Sequence, residues 1–166
     1  MPFGYHGAYL RIDVSRAHAE RVPLTGGVLR QYLGGSGLGG RVLLDEGGAI
    51  VDPLAPAAPL VFAFSPLVGS PLTTSAKFAV VCRSPLTERF NDALASSGFA
   101  LAGKQCGVDA FVIVGQAPVL SVLVIDDGVV RVEPAEELSG ASCRDVNDRL
   151  QARLGTDFRV AAIGAA

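Results

Sequence analysis

The sequence has little of what would point to a chemistry by composition alone. Its three cysteines, Cys82, Cys106 and Cys143, are far apart and odd in number. No CxxC pair for a metal or cluster exists, and each cysteine reads as a small core residue rather than a ligand. His6 and His18 are equally isolated, and no pair of histidines or carboxylates has metal-ligand spacing. Charge is scarce too: 14 basic against 16 acidic residues leave a formal net charge of −2. That offers no electrostatic footing for nucleic acid or for an anionic membrane. No apolar run reaches the roughly 18 residues of a membrane span, and the first residues, MPFGYHGAYLRID, lack the basic-then-apolar order of a secretory signal. These absences predict a cytoplasmic protein whose partner is a small molecule or another protein. What is present is a 166-residue chain, 49% hydrophobic and 18% charged, which suits one domain with a substantial core.

Glycine is the exception to this scarcity. Between Tyr32 and Glu46 the chain reads YLGGSGLGGRVLLDE, with five glycines within the seven residues from Gly34 to Gly40. Such density lets another group approach the backbone closely, so the amides there could form a nest for an anion. Val42-Leu43-Leu44 followed by Asp45-Glu46 reads as a short helix whose N-terminus lies by that loop. The stretch Gly35 to Gly40 also satisfies the dinucleotide fingerprint, with Asp52 near the expected ribose-binding position. That fingerprint should follow a strand, whereas Val28 to Leu33 has helical spacing. Three readings stand at this point: a cofactor or anion loop, a structural turn between two helices, and a nucleotide site. Arg41, directly after the glycines, reads as a helix-surface residue in preference to an anion contact.

Alternation over Tyr9 to Val14 predicts a strand, Ala19 to Pro23 its hairpin partner, and Thr25 the N-cap of a helix through Leu33. Further strands are expected at Pro59 to Phe64, Lys77 to Arg83, Asp109 to Gly115, Val119 to Ile125 and Val129 to Glu133. The last two are joined by Asp126-Asp127-Gly128, a hairpin turn signal. Ala93 to Ala102 reads as a short helix, Ser142 to Leu154 as a capped helix ended by Gly155, and Phe158 to Ile163 as a closing strand. The fold class is α+β, with two largely antiparallel β-sheets and a few short helices.

The order of these segments is informative beyond any one of them. The glycine stretch, VDPLAP at Val51 to Pro56, SPLT at Ser84 to Thr87, the K-x-x-G-x-D-A pattern of Lys104 to Ala110 and the closing VAAIGAA together resemble the N-terminal domain of the tungsten-dependent aldehyde ferredoxin oxidoreductases. The resemblance runs from Tyr9 to the last residue. It implies a domain of two β-sheets on which a bis-pterin tungsten, or in some relatives molybdenum, cofactor lies. It also implies oxidation of an aldehyde to a carboxylic acid, the electrons passing through a [4Fe-4S] cluster to ferredoxin. By that resemblance the cofactor-binding residues are Gly35, Ser36, Gly37, Leu38 and Gly39 for close backbone approach, Lys77 for an anionic phosphate or pterin, and Ser96 and Ser97 for hydrogen bonds. No catalytic residue and no metal ligand is expected in this chain.

The sequence departs from the family pattern in three places. Lys77 stands where an arginine follows a threonine-glycine-glycine turn, which keeps the charge and loses the bidentate fork. Leu94-Ala95-Ser96-Ser97 stands where an asparagine-serine-glycine-glycine segment is expected. Ile163-Gly164-Ala165-Ala166 matches only the start of a longer motif, so the domain is expected to lack its C-terminal part. Two functional readings follow. In one, the chain cradles the cofactor while cluster-bearing C-terminal domains on a separate chain complete the enzyme, and it is inactive alone. In the other it is a non-catalytic, truncated homologue that forms a homo-dimer or carries the cofactor. Against both readings, Lys77 could be a solvated edge residue and Ser96 and Ser97 plain loop.

Overall fold

The computed structural model describes residues 4–164; the last part of the closing motif, Ala165 and Ala166, lies outside them. Strand β1 (Ala8–Asp13) pairs antiparallel with β2 (His18–Pro23) and parallel with β6 (Ala110–Val114). With β3 (Leu60–Phe64), β4 (Lys77–Arg83) and β5 (Phe90–Ser96) they form a six-stranded sheet in the order β2-β1-β6-β3-β4-β5. A separate hairpin joins β7 (Ser121–Asp126) to β8 (Val129–Pro134). Asp127 and Gly128, both at positive φ (47° and 82°), make its turn, as the primed hairpin turns require. The α+β expectation of two largely antiparallel sheets is met.

Period-two alternation divides the sheet's side chains between two cores. On one face Tyr9, Val61, Ala63, Ala79, Val81 and Val112 meet Leu29 of helix α1 (Gly26–Tyr32) and Leu38, Val42 and Leu43 of helix α2 (Gly35–Asp45). On the other face Leu10, Ile12, Phe64, Phe78 and Phe111 meet Ala100 of helix α3 (Gly98–Gln105) and partly buried Leu123 and Ile125 of the hairpin. A third cluster, Ala135, Leu138, Val146 and Leu150, joins the hairpin to helix α4 (Cys143–Leu154). Thr25 caps α1 by accepting from the Val28 amide at 3.3 Å, and Ser142 caps α4 by accepting from Asp145 at 3.2 Å. Both caps stand where the sequence placed them.

Three segments differ from expectation. The glycine stretch is helical rather than a loop before a helix: α2 begins at Gly35. Its glycines let the helix lie close to the sheet. A Cβ on Gly39 would stand 2.7 Å from Val81 Cγ2 and 3.3 Å from Ala63 Cβ, and one on Gly40 would stand 3.0 Å from the Phe90 ring. The expected helix over Ala93 to Ala102 is instead the end of β5 followed by α3. Small residues have weak intrinsic preference, and pairing along all of β4 decides the matter. Phe158 to Ile163 carries strand-like sequence, yet no strand forms there.

Candidate functional site

The site is organised by the connection between α1 and α2. Leu33 adopts φ 58° and ψ −77°, Gly34 is extended, and Gly35 has φ 54°. A Cβ on Gly34 would meet Pro66 Cδ at 2.6 Å and the Phe64 carbonyl oxygen at 2.9 Å, whereas one on Gly35 would meet nothing within 4 Å. The chain is therefore pressed on the end of β3 at Gly34 and open at Gly35. Leu33, a bulky residue in a sparsely populated region, stores strain of about 1–3 kcal/mol at this turn. Thr74, at φ 59°, stores more in the loop before β4.

Sheet register brings the other expected residues to the same end. Phe64 pairs with Phe78, the Ser65 amide donates to the Lys77 carbonyl at 3.1 Å, and Lys77 pairs with Ser96. The Lys77 ammonium donates to Ser96 Oγ at 3.1 Å, with both side chains exposed. Ser97 follows: its amide donates to the Ala76 carbonyl at 3.2 Å and its hydroxyl caps α3 by accepting from Phe99 at 3.2 Å. The N-termini of α2 and α3 thus lie at the same end of the sheet, on its opposite faces. Each carries a partial positive charge of roughly half a unit, beside the Lys77 ammonium.

Along β5, Phe90 packs on Gly40 and Asp92 meets Ser36, whose hydroxyl donates to Asp92 Oδ2 at 2.5 Å. Phe90, Asp92, Leu94 and Ser96 alternate with the intervening residues and so share the α2 face. Leu94 is 70% exposed there. Of the eight expected residues, Gly35, Ser36, Lys77 and Ser96 lie on this face, but as two separate contacts: Lys77 with Ser96, and Ser36 with Asp92, four residues further along β5, while Ser97 follows Ser96 at the strand end. Gly37 turns inward, where a Cβ would lie 2.7 Å from the Tyr32 carbonyl oxygen. Leu38 is fully buried and Gly39 is pressed on Val81. Those three shape the helix rather than its exposed mouth. The sequence gives no signal for Asp92, because the helix expected from Ala93 takes in most of β5 and leaves no strand to place Asp92 on the α2 face. Arg41 lies where expected, on the helix surface, pairing with Asp45 at 2.8 Å.

The motifs that carry the resemblance have structural causes. Ser84 Oγ accepts from the Leu86 and Thr87 amides, both at 3.3 Å, and shapes the β4–β5 connection. Asp52 Oδ1 accepts from Leu54 at 2.9 Å. In K-x-x-G-x-D-A, Gly107 takes φ 75° after α3, and Lys104 and Asp109 form a buried ion pair at 2.5 Å. The Asp109 carboxylate also accepts from the His6 amide at 3.0 Å and the Gly7 amide at 2.7 Å, tying the N-terminal segment to the α3–β6 junction. Burial, followed by the nearby Lys104 charge, lowers the His6 pKa. Among the described residues no group of His, Cys, Asp and Glu could hold a metal ion.

A model of the aldehyde ferredoxin oxidoreductase N-terminal domain matches residues 9–166. The chain belongs to that family. The tungsten-containing aldehyde ferredoxin oxidoreductase of Pyrococcus abyssi is 32% identical over 167 residues, which cover 99% of this chain and 27% of the relative. The namesake in Pyrococcus horikoshii is 30% identical over the same shares. A WOR-like subunit of an aliphatic sulfonate oxidoreductase from Pyrococcus furiosus is 30% identical over 141 residues, 83% of this chain and 22% of its own. Among solved structures, the active site complex BamBC of benzoyl coenzyme A reductase, with 1,5-dienoyl-CoA, superposes with a TM-score of 0.87 at 27% identity, covering 96% of this chain and 24% of that one. This family member spans about a quarter of the length of the curated relatives it matches.

Proposed function

We propose that this chain is the cofactor-cradling part of an aldehyde ferredoxin oxidoreductase-type enzyme. Its α2-side sheet end faces a tungsten or molybdenum bis-pterin, and the chain is inactive without its partner. The observation that carries the reading is the Lys77–Ser96 contact at the end of β4 and β5, on the face where α2 begins at the open Gly35 and Ser36 docks on β5. The donors that remain for an anionic, phosphate-bearing group are the Lys77 ammonium, the Ser96 hydroxyl and the first amides of α2, since Ser36 already donates to Asp92. Gly35 leaves the open space a large flat ligand needs to approach the backbone. The names of the curated relatives favour tungsten over molybdenum.

When bound, the cofactor supplies two-electron oxidation of an aldehyde at its metal; this chain's residues bind and orient it. Lys77 holds negative charge as a point contact rather than a fork. Asp92 fixes the Ser36 hydroxyl. Cluster-bearing domains on a partner polypeptide carry the [4Fe-4S] centre and pass electrons to ferredoxin, in the cytoplasm. The test is protein purified from its native host without chelators, analysed for tungsten, molybdenum and oxidised-pterin fluorescence. Near-stoichiometric metal with pterin is expected in wild type, with loss of pterin in Lys77→Ala and retention in Lys77→Arg. Full pterin in Lys77→Ala removes Lys77 from the site.

One observation favours a second reading, the self-associating module. Strand β5 is a sheet edge exposed along its whole length, bearing Phe90 (52% exposed) and Leu94 (70%). Exposed apolar edges pair readily. A metal-free homo-dimer by sedimentation, dispersed by Leu94→Lys, would favour it over the cradle.

A further inference from the structure

The segment Gly4 to Gly7, just before β1, is held more firmly than its burial explains. Gly4 and His6 are exposed, Gly7 is half-buried, and Tyr5 alone packs on a core. Yet Gly4 and Gly7 take φ 78° and 76°, which glycine adopts without strain. The His6 and Gly7 amides donate to the Asp109 carboxylate at 3.0 and 2.7 Å, and the buried Lys104 neutralises that charge. A buried ion pair contributes little net stability, because desolvating both charges offsets their attraction. What this pair supplies is a fixed position. The Asp109 backbone extends it: its amide donates to the Ala8 carbonyl at 2.8 Å, and its carbonyl accepts from the Phe64 amide at 3.0 Å. The segment is thereby tied to the end of β3.

Just past that end stands Pro66, between two glycines. A Cβ on Gly4 would collide with the Pro66 carbonyl oxygen, and one on Gly34 would stand 2.6 Å from Pro66 Cδ. The preceding residue, Ser65, donates its amide to the Lys77 carbonyl at 3.1 Å and accepts from the Val68 amide at 3.2 Å, closing the turn that contains Pro66. Pro66 therefore touches the start of α2 through its ring and is one hydrogen bond from the start of β4. We propose that Gly4 to Gly7 is a positioning element: seated on Asp109, it holds Pro66, and through Pro66 it sets the spacing between the open start of α2 and Lys77. Its use to the protein rests on the cradle reading; its geometry does not. The strained turn at Leu33 persists only where its surroundings over-determine it, and Pro66 is one such constraint. Spacing also matters to binding. A rigid anionic ligand can meet the Lys77 ammonium and the α2 amides together only if the two are held at a set separation. Gly4 is thus a positioning residue that acts through Pro66.

The test is amide hydrogen exchange followed by NMR on the full chain, with Gly4→Ala driving a methyl group against the Pro66 carbonyl. The Leu38 amide donates to the Gly34 carbonyl and the Ser65 amide to the Lys77 carbonyl, so these two amides report on the two arms. Both are expected to exchange about tenfold faster, while the amides of α4 and β7 keep their wild-type rates. In a Pro66→Ala background, which lacks the ring that Gly34 meets, Gly4→Ala should add nothing at Leu38. Unchanged rates at Leu38 and Ser65 overturn the proposal. So does equal acceleration of every amide, the mark of lost global stability alone, and so does a full added effect without the Pro66 ring. In protein from the native host, Gly4→Ala should hold several-fold less pterin than wild type, and equal pterin in the two overturns the positioning role. Wild type without pterin is instead a failure of the cradle reading, and the exchange rates then decide by themselves whether the segment sets the spacing.

Discussion

Single residues set the tolerances of this domain, and two glycines show how differently they do it. At Gly35 the space is open but φ is 54°, so Gly35→Ala should cost about 1–2 kcal/mol through the backbone alone. At Gly39 a new Cβ would meet Val81 and Ala63 in the core. Gly39→Val should cost about 1–3 kcal/mol or more and lift α2 from the sheet; urea unfolding of both variants separates the two effects. Asp109, which is 1% exposed, pairs with Lys104 and accepts two backbone amides. Asp109→Ala leaves a buried ammonium uncompensated, so a loss of about 3–5 kcal/mol is expected by the same measurement.

Tyr9 adds a pH dependence. Burial first, then its 2.6 Å hydrogen bond to Glu46 Oε1, and then the Glu46 charge push its phenol above the ordinary value of 10. The unfolded phenol therefore gives up its proton before the folded one. The contribution to stability is complete below pH 10 and is lost as pH rises from there towards the folded value. Stability should fall above that pH, and more steeply in wild type than in Tyr9→Phe, with melting followed across the alkaline range. Equal slopes would show that Tyr9 is not the group responsible.

At the scale of elements, α2 illustrates how packing overrules propensity. Each interior glycine costs about 1 kcal/mol relative to alanine in an isolated helix. Leu38 and Val42, both fully buried, offset part of that, at roughly 1.5–3 kcal/mol each for complete burial. Close approach to β4 gives the glycines their use. The Ser36–Asp92 hydrogen bond then docks the N-terminus of α2 on β5. Ser36→Ala should leave the fold intact within about 1 kcal/mol, the worth of an exposed hydrogen bond. Under the cradle reading it should also weaken pterin retention less than Lys77→Ala does, which pterin fluorescence of the two variants would measure.

At the scale of the whole molecule, the layers are unevenly finished. The α1/α2 side closes a continuous core, whereas the other side leaves an apolar opening beneath the hairpin. No described helix is long and apolar enough to cross a membrane. The purified chain is expected to show no aldehyde oxidation with any electron acceptor, and turnover in a dye-reduction assay would overturn its role as a dependent part.

The sequence alone determined the elements whose signals are local. Alternation marked β1, apolar runs between loops marked β4 and β7, Thr25 and Ser142 marked helix starts, and Asp127-Gly128 marked the hairpin. Turn motifs such as Ser84 to Thr87 carried the family, because a hydroxyl reaching amides two and three residues on needs nothing distant. Tertiary structure decided the rest. Small residues from Asn91 to Ser96 have no strong preference until β4 supplies a partner. Five glycines can be loop or helix until a sheet stands close enough to require them. Phe158 to Ile163 shows the converse, since β-propensity makes no strand without a neighbouring edge to pair with.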